Sequence, residues 1–182
     1  MDIKNGLTYL LERILTKKIL FSRHAESSLG KVGLADHDRP LSLKGIENAN
    51  LMGSRLSEDR LLPDFFVSSS AKRSLDTCNI IKNALNVEGE VEVFNQIYTN
   101  GVDGVISSIQ LTNNQYDFIA FVGHNPTMHQ IYNSVSSTHL SKFPTSGLFI
   151  CSFNSKKWES FNLSRLKIEM YDYPKNIKYN FQ

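Results

Sequence analysis

Cysteine is scarce in this 182-residue chain: Cys78 and Cys151 are the whole complement, far apart, each within an apolar pattern. Neither belongs to a Cys-x-x-Cys pair or a Cys/His zinc spacing. That excludes a sequence-coded zinc site or dithiol redox centre, and the thiols are expected as small buried hydrophobes in a reducing compartment. Long apolar runs are missing too. No stretch approaches the ~20 residues that a membrane-spanning helix needs. Residues 1–18 mix acids with bases and lack the clean apolar segment of a secretory signal. A cytoplasmic protein without membrane attachment is expected. One-sided charge is the third absence. The 20 Lys+Arg and 18 Asp+Glu leave a formal net charge of +2, and no basic run marks a nucleic-acid surface. Any anion site should be local.

What is there reads as alternating strands and helices without repeats or linkers. Apolar strand-length runs fall at Ile19–Phe21, Phe65–Val67, Val91–Phe94 and Phe118–Val122. The last is continuous, as a central parallel strand buried on both faces should be. Ser42 caps a helix to about Ser57 whose inner face is Ile46, Ala49, Met52, Gly53 and Leu56. Further helices are expected over Ala71–Leu85, around Val102–Ile109, and over Met128–Val135. Gly147–Phe153 and Trp158–Leu163 read as a closing hairpin around Asn154-Ser155, with a polar tail from Ser164 over the surface. Leu7, Leu10, Leu11, Ile14 and Leu15 have helical spacing, so residues 1–17 are expected as an N-terminal helical extension. The fold class is therefore α/β, a doubly wound three-layer sandwich with a mostly parallel sheet and an antiparallel edge, in a single domain over 1–182.

Three strand ends carry polar residues of related character: Arg23-His24 after the first strand, Ser68-Ser69-Ser70 with Arg73 one turn on after the second, and Gly123-His124-Asn125 after the fourth. In a parallel sheet these ends share one edge, where open α/β sheets build their sites. Singly, each has a plainer reading: a hydrogen-bonded structural histidine, a surface arginine, a turn. Together they bring two guanidiniums and two imidazoles to one place without acidic metal ligands. Such a set suits a dianionic phosphoryl group. Arginine binds phosphate oxygens in a fork and keeps its proton, and a neutral imidazole is a competent nucleophile. Asp36-His37-Asp38 is a succession of polar loop residues, not a metal shell, and His37, His129 and His139 are read as non-catalytic.

With these residues in view the chain resembles the histidine phosphatase superfamily, and within it the small SixA-type phosphohistidine phosphatases. Arg23-His24-Ala25 stands where the superfamily has Arg-His-Gly, Ala being a familiar variant in the SixA-like group. Asp38-Arg39-Pro40-Leu41 with Lys44-Gly45 is similar to that group's Arg-Pro-Leu segment. Ser68-Ser69-Ser70-Ala71-Lys72-Arg73 with Thr77 is similar to its Ser-Ser-Pro-x-x-Arg-x-x-x-Thr, Ser70 replacing Pro. Val122-Gly123-His124-Asn125-Pro126 matches the second histidine motif. Pro144-Thr145 and Asp172-Tyr173-Pro174 also fit. The matches run in order from about residue 18 to 175.

The resemblance implies a phosphoglycerate mutase-like fold and a catalytic set of His24, Arg23, Arg73 and His124. His24 would be the nucleophile, forming a transient phosphohistidine that water hydrolyses. Arg23, Arg73 and His124 would bind the phosphoryl group, or a phosphate or sulfate ion in its place. No cofactor and no metal are implied. One departure is chemical. Where the SixA-like pattern commonly has Glu after Tyr, Tyr98 is followed by Thr99, which cannot act as general acid. Asp103, Glu26 and Asp36 are the remaining candidates. A phosphohistidine can expel a neutral imidazole and needs little acid help, so Thr99 favours a phosphoramidate substrate. The short segments between motifs leave little chain for a lid, which suits a phosphorylated protein of the histidine phosphotransfer type. A small phosphorylated substrate, hydrolysed by a phosphomonoesterase of the same superfamily, and a catalytically weak phosphoprotein-binding module are the alternatives.

Overall fold

A computed structural model describes residues 16–29 and 33–176. The expected helix over 1–17 mostly lies outside the described residues. Thr16 and Lys17 instead open the first strand. Six strands form one sheet: β1 (Thr16–Arg23), β2 (Phe65–Ser69), β3 (Glu92–Phe94), β4 (Phe118–Gly123), β5 (Leu148–Asn154) and β6 (Lys167–Asp172). Their order across the sheet is β3-β2-β4-β1-β5-β6. β1, β2, β3 and β4 run parallel, and β5 and β6 add an antiparallel edge. The helices are α1 (Leu43–Glu58), α2 (Lys72–Ala84), the single turn α3 (Gln96–Thr99), α4 (Gly101–Gln110) and α5 (Thr127–Val135).

Side-chain alternation along the strands splits the core into two layers. Ile19 and Phe21 of β1 and Ile119 and Phe121 of β4 pack with Val105, Ile109, Met128 and Ile131 from α4 and α5. Leu20, Ala120 and Val122 point to the other face and meet Met52, Leu56, Cys78 and Ile81 from α1 and α2. This is the expected three-layer α/β/α sandwich. Cys78 and Cys151 are free, buried and in different layers.

Two local readings need correction. Trp158–Leu163 does not form the second strand of a hairpin. Trp158 and Phe161 are both buried against Phe153, and a three-residue spacing on one face belongs to a 3-10 turn (Trp158–Ser160), not to an alternating strand. The strand beside β5 is β6, drawn from the tail expected on the surface. Its Lys-Ile-Glu-Met-Tyr alternates as a half-covered edge strand does. Second, Ile46 is 41% exposed, and Gly45 takes the buried place in the first turn of α1. A Cβ at Gly45 would collide with the Glu26 carbonyl oxygen, so only glycine lets α1 start hard against the loop that follows β1.

The far end of α1 is anchored to β6. Arg55 is buried and its Nη1 donates to Asp172 Oδ2 at 3.2 Å and to the Tyr173 carbonyl at 3.1 Å. This pair holds the Asp172-Tyr173-Pro174 segment beside α1. Among the described residues no helix is long and apolar enough to cross a membrane.

Candidate active site

Strand register sets the site. Arg23 pairs with Gly123, and Ser68 with Val122, so β1, β2 and β4 end at one level. The His24 backbone N–H donates to the Gly123 carbonyl at 2.9 Å, which carries β1 one residue further and brings His24 beside His124. The two ring centroids are 5.1 Å apart. All four predicted residues thus gather at one sheet edge, as the strand ends implied.

His24 is 8% exposed, and its Nδ1 lies 2.7 Å from the Ala25 carbonyl oxygen. A carbonyl only accepts, so Nδ1 carries the ring proton and Nε2 keeps its lone pair. Arg73 Nε donates to that lone pair at 3.3 Å. Burial, aided by the charges of Arg73, Arg23 and Arg39, pulls the His24 pKa from 6.5 down to about 4, although the hydrogen bond to Ala25 opposes this. The ring is therefore neutral at physiological pH. The loop is tied to α2 by Thr77, which accepts from the Ala25 N–H at 2.9 Å and donates to the Arg73 carbonyl at 2.7 Å. This explains a threonine four residues after the arginine.

His124, 9% exposed, turns Nε2 to Ser69 Oγ at 2.7 Å and to Ser74 Oγ at 3.2 Å. Burial first, then the positive field of His24 and the arginines, lowers its pKa to about 3. Ser69 Oγ also receives the Ala71 N–H at 3.4 Å, so the serine that meets His124 is itself held at the end of β2; the other ring nitrogen of His124, Nδ1, faces away from both serines. That atom and Arg23 Nε are buried without a hydrogen-bond partner among the described residues. Arg23 Nη1 is fixed on the Phe143 carbonyl at 2.8 Å, which Asn125 Nδ2 also reaches at 2.9 Å. An unmet buried guanidinium N–H beside an unmet imidazole nitrogen, with the Arg73 guanidinium close by, makes surroundings that suit a tetrahedral oxyanion.

Arg73 is clamped from outside. Its Nη1 donates to the Asp36 carbonyl oxygen at 2.6 Å and its Nη2 to Asp36 Oδ2 at 3.0 Å. Tyr98 donates its hydroxyl to the same Oδ2 at 3.1 Å, while its ring packs edge-on to His124 and sits 6.0 Å from the Arg73 guanidinium. The Arg39 hydrogen bond is the strongest influence holding the Asp36 carboxyl below its usual range, with Arg73 and Tyr98 acting in the same direction.

The three acids considered for proton donation are not equivalent. Asp103 is exposed in the first turn of α4, and no hydrogen bond or ion pair joins its carboxylate to another described residue. Glu26 accepts from Ser42 Oγ at 2.9 Å and lines a cleft beside Arg23. Asp36 does reach the cluster, but ionised and on Arg73. Thr99 is exposed, its hydroxyl directed to Asn95 and Asn100. Sequence reasoning missed the parts of Ser69, Ser74, Tyr98 and His37. His37 packs edge-on to Tyr98 with Nε2 3.0 Å from Ser70 Oγ, and so belongs to the rim of the site. Among the described residues no group of three or more His, Cys, Asp or Glu could hold a metal ion.

The sequence pattern of the histidine phosphatase superfamily (branch 1) matches residues 19–97, the part that carries Arg23, His24 and Arg73. An uncharacterised protein of Mycobacterium tuberculosis, Rv1276c, is 30% identical over 138 residues, 70% of this chain and 84% of the relative. The chain belongs to the histidine phosphatase superfamily. A solved structure of the protein histidine phosphatase SixA complexed with tungstate has the same fold, at TM-score 0.74 and 21% identity, covering 88% of this chain and 99% of SixA. The mycobacterial glucosyl-3-phosphoglycerate phosphatase Rv2419c shares the fold more distantly, at TM-score 0.61 and 13% identity over 85% of this chain and 98% of the other. The chain is thus a superfamily phosphatase with the phosphoglycerate mutase-like architecture.

Proposed function

We propose that the protein removes phosphate from phosphohistidine in proteins through a covalent phosphohistidine on His24. One observation carries the reading: the His24 ring is neutral, its proton pinned on Nδ1 by the Ala25 carbonyl, and its Nε2 lone pair lies between Arg73 and His124. A phosphoryl group entering there displaces the Arg73 Nε–H from Nε2. It takes that donor, Arg23 Nε and His124 Nδ1 onto its oxygens. Nε2 then bonds to phosphorus as the P–N bond to the substrate imidazole breaks, the electron pair passing to that ring. Water attacks phosphorus in the second step, releasing inorganic phosphate and restoring His24. The guanidiniums offset charge on the transferring group, the main source of rate in phosphoryl transfer. The tungstate bound by the SixA structure, a tetrahedral oxyanion, accords with an anion in such a pocket.

The substrate class is supported by the acids. An alkoxide leaving group needs a proton donor, worth roughly 10²–10⁴-fold. The carboxylate nearest the cluster, Asp36, is held ionised by Arg39, Arg73 and Tyr98. An imidazole protonated at its distal nitrogen leaves neutral and needs no such donor. Rapid quench with labelled phosphohistidine protein tests this. Label should appear on wild-type protein and be absent from His24→Ala, and phosphohistidine should be turned over faster than an alkyl phosphate. Preference for the alkyl phosphate, or release of phosphate without trapping, would refute the proposal.

A further inference from the structure

Beside the phosphoryl site lies a cleft of about 410 Å³ that the chemistry above does not use. Arg23 forms part of its lining, so it is continuous with the pocket. The outer lining comes from three separate segments: Lys44 in the first turn of α1, Lys142 in the loop before β5, and Lys175 just after β6. The Arg55–Asp172 pair holds this last segment in place. Tyr173 and Pro144 supply flat apolar surface between the cations.

The charge of this cleft is unbalanced. Four basic side chains face one acid, Glu26, which is already engaged by Ser42. No hydrogen bond or ion pair takes up the ammonium groups of Lys44, Lys142 or Lys175 among the described residues. Elsewhere four lysines are satisfied, Lys17 by Asp117, Lys18 by Glu169, Lys72 by Asp76, and Lys82 by backbone carbonyls. Lys156, Lys157 and Lys167 have no such partner among the described residues, but they are not gathered in a cleft as Lys44, Lys142 and Lys175 are. The first turn of α1 contains no acid. Lys44 therefore adds to the positive end of the helix dipole, which is unfavourable until an anion approaches.

From this we infer that the cleft holds acidic side chains flanking the phosphorylated histidine of the substrate protein. The inference rests on the reading of the site as a protein phosphohistidine phosphatase. Lysines on long flexible stems, spread over three segments, match carboxylates distributed along a chain. A single compact phosphate is better met by the rigid fork of arginine, and the only arginine lies at the inner end. The volume exceeds what one oxyanion fills and is of the order that buries a drug-sized ligand, room enough for more than one carboxylate side chain.

Two measurements on the full chain test the inference separately from its premise. A short fluorescein-labelled peptide rich in Asp and Glu, carrying no phosphate, is titrated against wild type and the K44Q/K142Q/K175Q variant by anisotropy. Binding should weaken roughly tenfold in the variant, the order expected of three exposed ion pairs, and should fall with added salt. The hydrolysis arm compares phosphohistidine peptides with acidic and neutral flanks, using phosphoramidate as a substrate without flanks. The acidic flank should lower KM in wild type with kcat unchanged. That advantage should vanish in the variant, and phosphoramidate hydrolysis should be the same in both proteins. Equal peptide affinity in the two proteins overturns the inference, as does tight binding of a small bisphosphate with no affinity for the peptide. If the peptide binds as expected but neither phosphohistidine peptide is hydrolysed, the premise fails, and the assignment of the cleft to substrate flanks falls with it.

Discussion

The depressed basicity of His24 fixes how the protein should respond to acid. The ring has a pKa of 6.5 when free and about 4 in the native protein, chiefly because it is buried. Above the first value neither native nor unfolded protein binds a proton there, and the group contributes nothing to stability. Between the two values the unfolded chain takes up a proton that the native protein refuses. Stability must therefore fall as pH drops through this window and level off below about pH 4. Integrating the linkage gives a loss of about 2 kcal/mol at pH 5 from this one ring, approaching about 3 kcal/mol in stronger acid. His124, lowered to about 3, adds a loss of the same sign. Asp36, lowered from 3.8, titrates below the window and leaves it clear. Urea unfolding at pH 7.5 and pH 5 should show the decline, and His24→Asn, which keeps a donor for Ala25 but cannot titrate, should reduce it by about 2 kcal/mol. An identical decline in the variant would show that the ring is not held neutral by its surroundings, and the account of the nucleophile would be lost.

Further expectations concern the same framework. Sulfate, a dianion throughout this range, should favour protonation of the two imidazoles once seated, so its stabilisation in thermal melts should grow as pH falls from 7 to 5. Asp36→Asn should lower kcat/KM by about five- to tenfold as Arg73 loses its charged clamp, and the pH-rate profile should keep its shape. Asp172→Asn removes the buried carboxylate that faces Arg55 at 3.2 Å and should cost about 3–5 kcal/mol in urea unfolding. Thr77→Val strands the buried Ala25 N–H and should cost roughly 1–3 kcal/mol while slowing turnover.

Much of this arrangement was legible in the sequence, and the parts that were not share a physical cause. Buried parallel strands betray themselves as continuous apolar runs, and the polar residues at their ends share an edge by topology. That is why Arg23, His24, Arg73 and His124 could be grouped before any coordinates. The closing edge is the part the sequence disguises, because Trp158 and Phe161 have the composition of strand residues. Burying two aromatics three apart by a tight turn satisfies the same composition, and the alternation of Lys167–Asp172 is too weak to stand out, since only its last residue is fully buried. At the site, the clamp on Arg73 joins the 36–39 loop to the turn carrying Tyr98. Such long-range contacts between loops leave no periodic trace. Asp36 was visible as an acid, but its protonation state depends on Arg39, Arg73 and Tyr98 meeting in space. Ser69 and Ser74 were hidden by ordinary turn and helix-start chemistry, which explains serines there equally well.

The Arg73 Nε–H resting on His24 Nε2 has a consequence for the idle protein. A lone pair that already accepts from a donor at 3.3 Å should react more slowly with stray electrophiles, such as acylating or carbethoxylating reagents, which carry no negative charge to draw the guanidinium away. An incoming oxyanion, by contrast, can trade places with the ring as the partner of Arg73. On the proposed chemistry the cargo itself unmasks the nucleophile, and readiness to react arises only when something worth reacting with has arrived.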